Sequence, residues 1–251
     1  MKYNALYFKE RMPVEKRRND PLFVKIFYRP ISFFISAFCA NRGIKANTIT
    51  VISLIPALFT GIFLMINNYV FNIVGALLIS LWLLLDCVDG NLARSVQKQP
   101  YGEFLDALGS YLVAASIGIG LGVHVYTNGG FLFAPSNYYA IIIGGIASVA
   151  DLLMRVTHQN YKNATYLLND KGIISEKTED TGTESKKSLL FAKIKMEFGI
   201  GGIIPPALLL SVIIGKADLI LIYLALYNFM SCGFIVCMYI KKALKYINTA
   251  L

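Results

Sequence analysis

The chain is predicted to fold as an all-α integral membrane protein, six transmembrane helices preceded by an interfacial amphipathic N-terminal helix, and three observations predict it. Hydrophobic residues fill 56% of the 251 positions and the mean hydropathy is +0.57, well above what a soluble domain carries. Six apolar stretches reach the roughly 20 residues that a helix needs to cross the hydrocarbon core. Of the 24 Lys and Arg residues, only Lys216 falls on the membrane side opposite the N-terminus, the asymmetry that keeps cationic segments in the cytoplasm. Helices are expected rather than a barrel, because strict alternation is absent and backbone groups in lipid must be bonded within their own segment.

In chain order, residues 1–20 form a polar cytoplasmic N-terminus without the basic, apolar and small-residue order of a signal peptide. The stretch "PLFVKIFYRPISFFISAFCANRGIK", 21–45, mixes Phe, Ile and Tyr with Lys25, Arg29 and Pro30. Those three would interrupt a span at its middle, so an amphipathic segment in the headgroup plane is expected rather than a seventh span. The transmembrane domain occupies 46–245, with spans near 48–68, 70–92, 103–125, 138–157, 190–214 and 218–240, and 246–251 is a cytoplasmic tail. The outer turns, "INNY", "YTNGGFLFAPSNYY" and "GKAD", are nearly uncharged. The loop over about 159–188 is polar and is expected to be flexible and cytoplasmic, which deprives its "NAT" sequon of meaning. Both termini are cytoplasmic in this reading. The net charge of +9 then lies on one face, against anionic headgroups of membrane lipids, and no nucleic-acid partner is expected. Cys39, Cys87, Cys232 and Cys237 lack metal-type spacing and read as apolar filler.

Ionisable residues inside spans cost a few kcal/mol each on the insertion scale, so they point to function. Asp86 and Asp89, three apart, share one helix face, with Gly90 and Ala93 beside them and Arg94 at the mouth of the span. In the next span Gly102, Asp106 and Ser110 recur every four residues on one stripe, so Asp106 can face the first pair. Three carboxylates in a low-dielectric site repel one another unless neutralised, and an all-oxygen set suits Mg²⁺, Mn²⁺ or Ca²⁺ rather than zinc. His124 is expected near the outer face and His158 near the inner one, neither in a ligand's context. The bland alternative, that Asp86 and Asp89 merely mark the end of the span with Arg94 as their ion-pair partner, leaves Asp106 unexplained.

These residues resemble the motif of the CDP-alcohol phosphotransferases, D-x2-D-G-x2-A-R-x8-G-x3-D-x3-D. Asp86, Asp89, Gly90, Ala93, Arg94, Gly102 and Asp106 match it, and "KANTIT" resembles the Asn-x-x-Thr entry to the first span. The chain departs twice. Seven residues rather than eight separate Arg94 from Gly102, and Ser110 stands where the family carries a fourth aspartate, its general base.

The resemblance implies attack of an acceptor on the phosphorus of a CDP-alcohol, with CDP-diacylglycerol one candidate donor, release of CMP, and a place in phospholipid headgroup synthesis. It implies Mg²⁺ or Mn²⁺ held by Asp86, Asp89 and Asp106, and nucleotide bound at Asp89, Gly90, Ala93, Arg94 and Gly102. It also implies a homodimer in a bacterial-type plasma membrane. With Ser110 at the base position, Glu103, Asp151 and Glu197 are candidate substitutes, or the acceptor attacks through an oxygen that is already anionic. Arg155, Lys193 and Lys195 are candidates for acceptor binding, against their reading as ordinary positive-inside anchors, and Asp151 and Arg155 are spaced to pair. A relative that binds CDP-alcohols without turnover is the runner-up. A divalent cation transporter fits less well, because its carboxylates would lie nearer the bilayer midplane.

Overall fold

The structure is a computed structural model and describes residues 2–172 and 196–250. In order these contain α1 (Ala5–Arg11), α2 (Val14–Asn19), a π-helical turn (Val24–Tyr28), α3 (Arg29–Asn41), α4 (Ala46–Met65), α5 (Tyr69–Ser95), α6 (Gly102–Asn128), α7 (Tyr139–Asp170), α8 (Ile204–Ile213) and α9 (Ala217–Ala250). No strand occurs among the described residues.

Five helices are long and apolar enough to cross a membrane: α4, α5, α6, α7 and Ala217–Leu244 of α9. The expected count of six therefore meets five spans and one short apolar helix among the described residues. In the predicted fifth span, α8 has ten residues, or about 15 Å of rise, half the hydrocarbon thickness. Pro205 and Pro206 open α8, and Gly199, Gly201 and Gly202 precede it in turns, so its own sequence stops the helix from extending backwards.

The bundle packs α4 on α5 and α6, α6 on α7, and α7 on α9, with α8 against α5. Small residues set the spacing. A Cβ on Gly61 of α4 would lie 2.4 Å from the Ser116 carbonyl of α6, and one on Gly144 of α7 would collide with the Gly118 carbonyl. Backbones in contact gain dispersion energy that lipid tails cannot match. Asn72, buried in α5, donates to the carbonyls of Phe63, Leu64 and Ile66 and so closes the end of α4.

The N-terminus is more ordered than its polar sequence implies. Asn4 caps α1 by accepting the Tyr7 N–H at 2.8 Å, and Phe8 and Met12 are buried against Phe33, Ala37, Val88 and Leu92. In α3, Arg29, Ser32 and Ser36 turn inward while Ile31, Phe34 and Phe38 are exposed. This arrangement is the reverse of a soluble helix and suits contact with acyl chains.

Candidate functional site

The turn from α5 to α6 builds one end of the bundle. Gln99 accepts the Asn47 N–H at 3.0 Å, and the Asn47 side chain donates to the Pro100 carbonyl at 2.8 Å, so the start of α4 clamps the linker. Tyr101 then enters α6 in the left-handed region, φ 60°. Gly102 follows because a Cβ there would press on Asn47 Oδ1 at 3.3 Å.

This turn brings the last face of α5 against the first face of α6. The carboxyls of Asp86 and Asp106 sit against one another, and neither forms an ion pair among the described residues. Both line a cavity of about 970 Å³. Asp89 is buried and meets the Thr50 hydroxyl of α4, still within electrostatic reach of Asp106. Asn47 and Thr50 are the Asn and Thr of the Asn-x-x-Thr pattern in "KANTIT", and the fold places them at Gly102 and Asp89 respectively.

Asp89, Gly90, Ala93, Arg94 and Gly102 do not line that cavity. They gather on its flank, where the beginnings of α4 and α6 meet the end of α5. A Cβ on Gly90 would lie 2.9 Å from Arg94 Nη1, so the glycine leaves the guanidinium room to lie along the helix. Arg94 donates to Asn91 Oδ1 at 3.2 Å, and Asn91 donates to the hydroxyls of Ser32 and Ser36 at 3.0 and 3.3 Å. Asn91, Ser32 and Ser36 are all buried. Sequence reasoning missed Asn91, Ser32 and Ser36, although polar residues recurring every four positions on an otherwise apolar helix were a readable sign.

The substitute bases separate. Glu103 lines the cavity, exposed, with Lys98 at 3.6 Å and Lys162 at 3.7 Å. Asp151 lines it too, 2% exposed, with Arg155 Nε at 2.8 Å, the i,i+4 pair that the spacing predicts. Glu197 lies off the cavity wall, where its carboxylate accepts the Leu22 N–H at 3.0 Å and ties the N-terminal segment down. Ser110 is on the wall, its hydroxyl donating back to the Ala107 carbonyl at 2.8 Å. Arg155 is on the wall; Lys193 and Lys195 lie outside the described residues. His158, set aside on sequence, also lines the cavity and bonds the Tyr239 hydroxyl, whereas His124 is buried toward the far end beside Asn128.

Whether a divalent cation suits this end is decided by its donors. Two facing carboxylates without a cationic partner form a hard, all-oxygen set, which Mg²⁺ or Mn²⁺ would neutralise. Among the described residues no group of three His, Cys, Asp or Glu side chains is drawn close enough to hold a metal unaided. Asp89 stands aside with Thr50, so further oxygen donors would have to come from a phosphate-bearing ligand or from a turn of the Asp89 carboxyl.

The sequence pattern of the family described as CDP-alcohol phosphatidyltransferase matches residues 44–230, well over half of the chain. The chain belongs to that family. The match runs from just before α4 into α9 and encloses the whole α5–α6 turn. CDP-alcohol phosphatidyltransferases are membrane transferases of lipid headgroup synthesis that use CDP-alcohol donors and generally depend on a divalent metal. The chain matches no curated protein.

Proposed function

We propose that the protein transfers a substituted phosphoryl group from a CDP-alcohol, a CDP-lipid such as CDP-diacylglycerol among the candidates, to an acceptor, releasing CMP. The observation that carries this is the Asp86–Asp106 pair, two facing carboxyls on the wall of a cavity open at one end of a membrane bundle. Charge is placed there at a cost that lipid-embedded packing does not explain.

Asp86 and Asp106, joined by Asp89, would hold Mg²⁺ or Mn²⁺, which when bound supplies charge neutralisation on the diphosphate and on the departing CMP. The protein's own part is positioning. Arg94, oriented by Asn91, presents guanidinium N–H groups to phosphate oxygens on the flank. Gly90 and Gly102 let Arg94 and Asn47 lie close against the helices, so that with Ala93 no bulky side chain of their own stands between that flank and a nucleotide. The bond from phosphorus to the CMP oxygen breaks as the acceptor oxygen bonds to phosphorus.

The proton of a hydroxyl acceptor needs a home, and Ser110 is no base, since a serine hydroxyl is far too weakly basic at neutral pH. Asp151 is held by Arg155, and Glu197 is off the wall. Glu103, exposed and met only at 3.6 and 3.7 Å by Lys98 and Lys162, is the most loosely held of the three, and the other route is an acceptor whose attacking oxygen is already anionic. Arg155 stands on the acceptor side of the wall, already paired with Asp151. We place both termini in the cytoplasm of a bacterial-type membrane and the enzyme in a homodimer.

The test is CMP release from CDP-diacylglycerol by purified protein with Mg²⁺ or Mn²⁺, across hydroxyl and phosphorylated acceptors, with Asp89→Asn as control. Metal-dependent release that the control abolishes supports the transferase. Metal-dependent binding of cytidine nucleotides without release by any acceptor would replace it with a binding protein that has lost turnover.

A further inference from the structure

The family pattern begins at residue 44, yet the cavity wall includes Lys16, Asn19, Asp20, Pro21, Val24 and Arg29 from the segment before it. This segment is fastened in place. Glu197 holds the Leu22 N–H, and the Tyr7 hydroxyl donates to the Ser95 carbonyl at the end of α5 at 3.0 Å. A wall so held can carry chemistry.

Its two cations are left incomplete. Arg29, 7% exposed, gives Nε and Nη2 to the Asp20 carboxylate at 2.6 and 3.1 Å. Its Nη1 is enclosed and has no partner among the described residues, and a buried donor left unpaired is costly. Lys16 takes part in no ion pair among the described residues. Desolvation at the wall, followed by the nearby charges of Arg94 and Arg29, holds its ammonium below the usual lysine value. Asp20 and Asp86 offset part of this repulsion, but Asp20 is taken up by Arg29, so Lys16 and Arg29 Nη1 keep room for a further anion. Across the cavity, Arg155 and Lys162 are already engaged by Asp151 and Glu103, so the unmet positive charge lies on the N-terminal side.

We propose that Lys16 and Arg29 form an oxyanion-binding wall that receives a phosphoryl group of a substrate beside Asp86 and Asp106. The proposal builds on the transferase reading and gives the N-terminal segment a part in recognition. Lys16 supplies a point charge at the exposed rim, and Arg29 Nη1 gains its missing acceptor when the filled cavity brings an oxygen against it. The phosphoryl group belongs either to the donor's diphosphate or to an anionic acceptor.

The experiment is isothermal titration of the full chain in detergent with CDP-diacylglycerol and, separately, with inorganic phosphate at saturating donor, for wild type, Lys16→Gln, Lys16→Arg and Arg29→Lys. A thermal melt accompanies each variant, since Arg29 also holds Asp20. Lys16→Gln should weaken one of the two ligands about tenfold or more at unchanged melting temperature, the size of a charge-assisted contact, with Lys16→Arg restoring it. Loss confined to CDP-diacylglycerol assigns the wall to the donor, and loss confined to phosphate assigns it to the acceptor. Phosphate binding that depends on Lys16 in a protein that binds no cytidine ligand keeps the wall and removes the transferase. Wild-type affinities in both Lys16→Gln and Arg29→Lys, or no binding of either ligand by wild type, overturn the proposal.

Discussion

Two acidic sites at opposite ends of the bundle are treated in opposite ways. At the far end Asp218, the first-turn acid of α9, is fully buried, and its carboxylate accepts N–H groups from Leu132, Phe133 and Leu219. Gly130 fits against it so closely that a Cβ there would overlap the carboxyl. That carboxylate is satisfied by backbone, and it fixes the loop between α6 and α7. At the motif end Asp86 and Asp106 meet each other, with no guanidinium or ammonium paired to either among the described residues. The difference teaches that burial of an acid does not itself mark function. What marks it is a set of lone pairs that the fold leaves unfilled.

The comparison breaks most readily at Asp106. Asp106→Asn should lower CMP release by about 10³-fold or more, because several kcal/mol of charge stabilisation in the transition state is lost. Its melting temperature should hold or rise, since a like-charge contact is removed. A large fall in stability with proportionate activity would make Asp106 a structural acid like Asp218. Ser110→Asp asks the complementary question, by restoring the carboxylate that the family motif carries. If the acceptor is a hydroxyl, the rate should rise by about 10²-fold, the lower end of general-base contributions. An unchanged rate would instead favour an acceptor oxygen that is already anionic.

Asp218→Asn sharpens the same contrast from the other end. Half of the acceptor capacity becomes a donor facing N–H groups, so unfolding in denaturant should show a loss of about 1–3 kcal/mol, while CMP release per folded molecule stays as in wild type. A selective loss of activity would show that the far end communicates with the site.

These two sites also divide what was legible in the sequence. Asp86, Asp89 and Asp106 were readable because charge in an apolar stretch is rare and helical spacing fixes which residues share a face. The i,i+4 pairing of Asp151 with Arg155 followed from the same periodicity. Five spans were readable from length and hydropathy, whereas the described part of the predicted fifth, 196–214, holds only the short α8, because a hydropathy window averages over Pro205 and Pro206. The structural role of Asp218 was invisible, since its partners are backbone groups 85 and 86 residues away, set only by the fold. For the same reason Glu197 looked like a spare base until its carboxylate met Leu22. Lys16 read as part of a polar tail because nothing local says that α2 folds back over the cavity.

The smallest effect concerns the turn that joins the motif's two halves. The linker is one residue shorter than the family's usual spacing, so the chain must reverse within fewer rotatable bonds between Arg94 and Gly102. Tyr101 takes up the reversal at φ 60°, a conformation that costs a residue with a Cβ about 1 kcal/mol. Its side chain is 80% exposed and contributes little packing in return. Tyr101→Gly should therefore stabilise the protein, by less than about 1 kcal/mol once the added freedom of the unfolded glycine is subtracted, and leave CMP release within twofold. A thermal melt in detergent reads the first and the release assay the second. If stability fell instead, the ring would be making a contact worth more than the strain, most simply with headgroups at the membrane surface. If stability rose but activity dropped, the strained turn would be holding Asp106 against Asp86, and the shortened linker would be part of the site rather than a variation beside it.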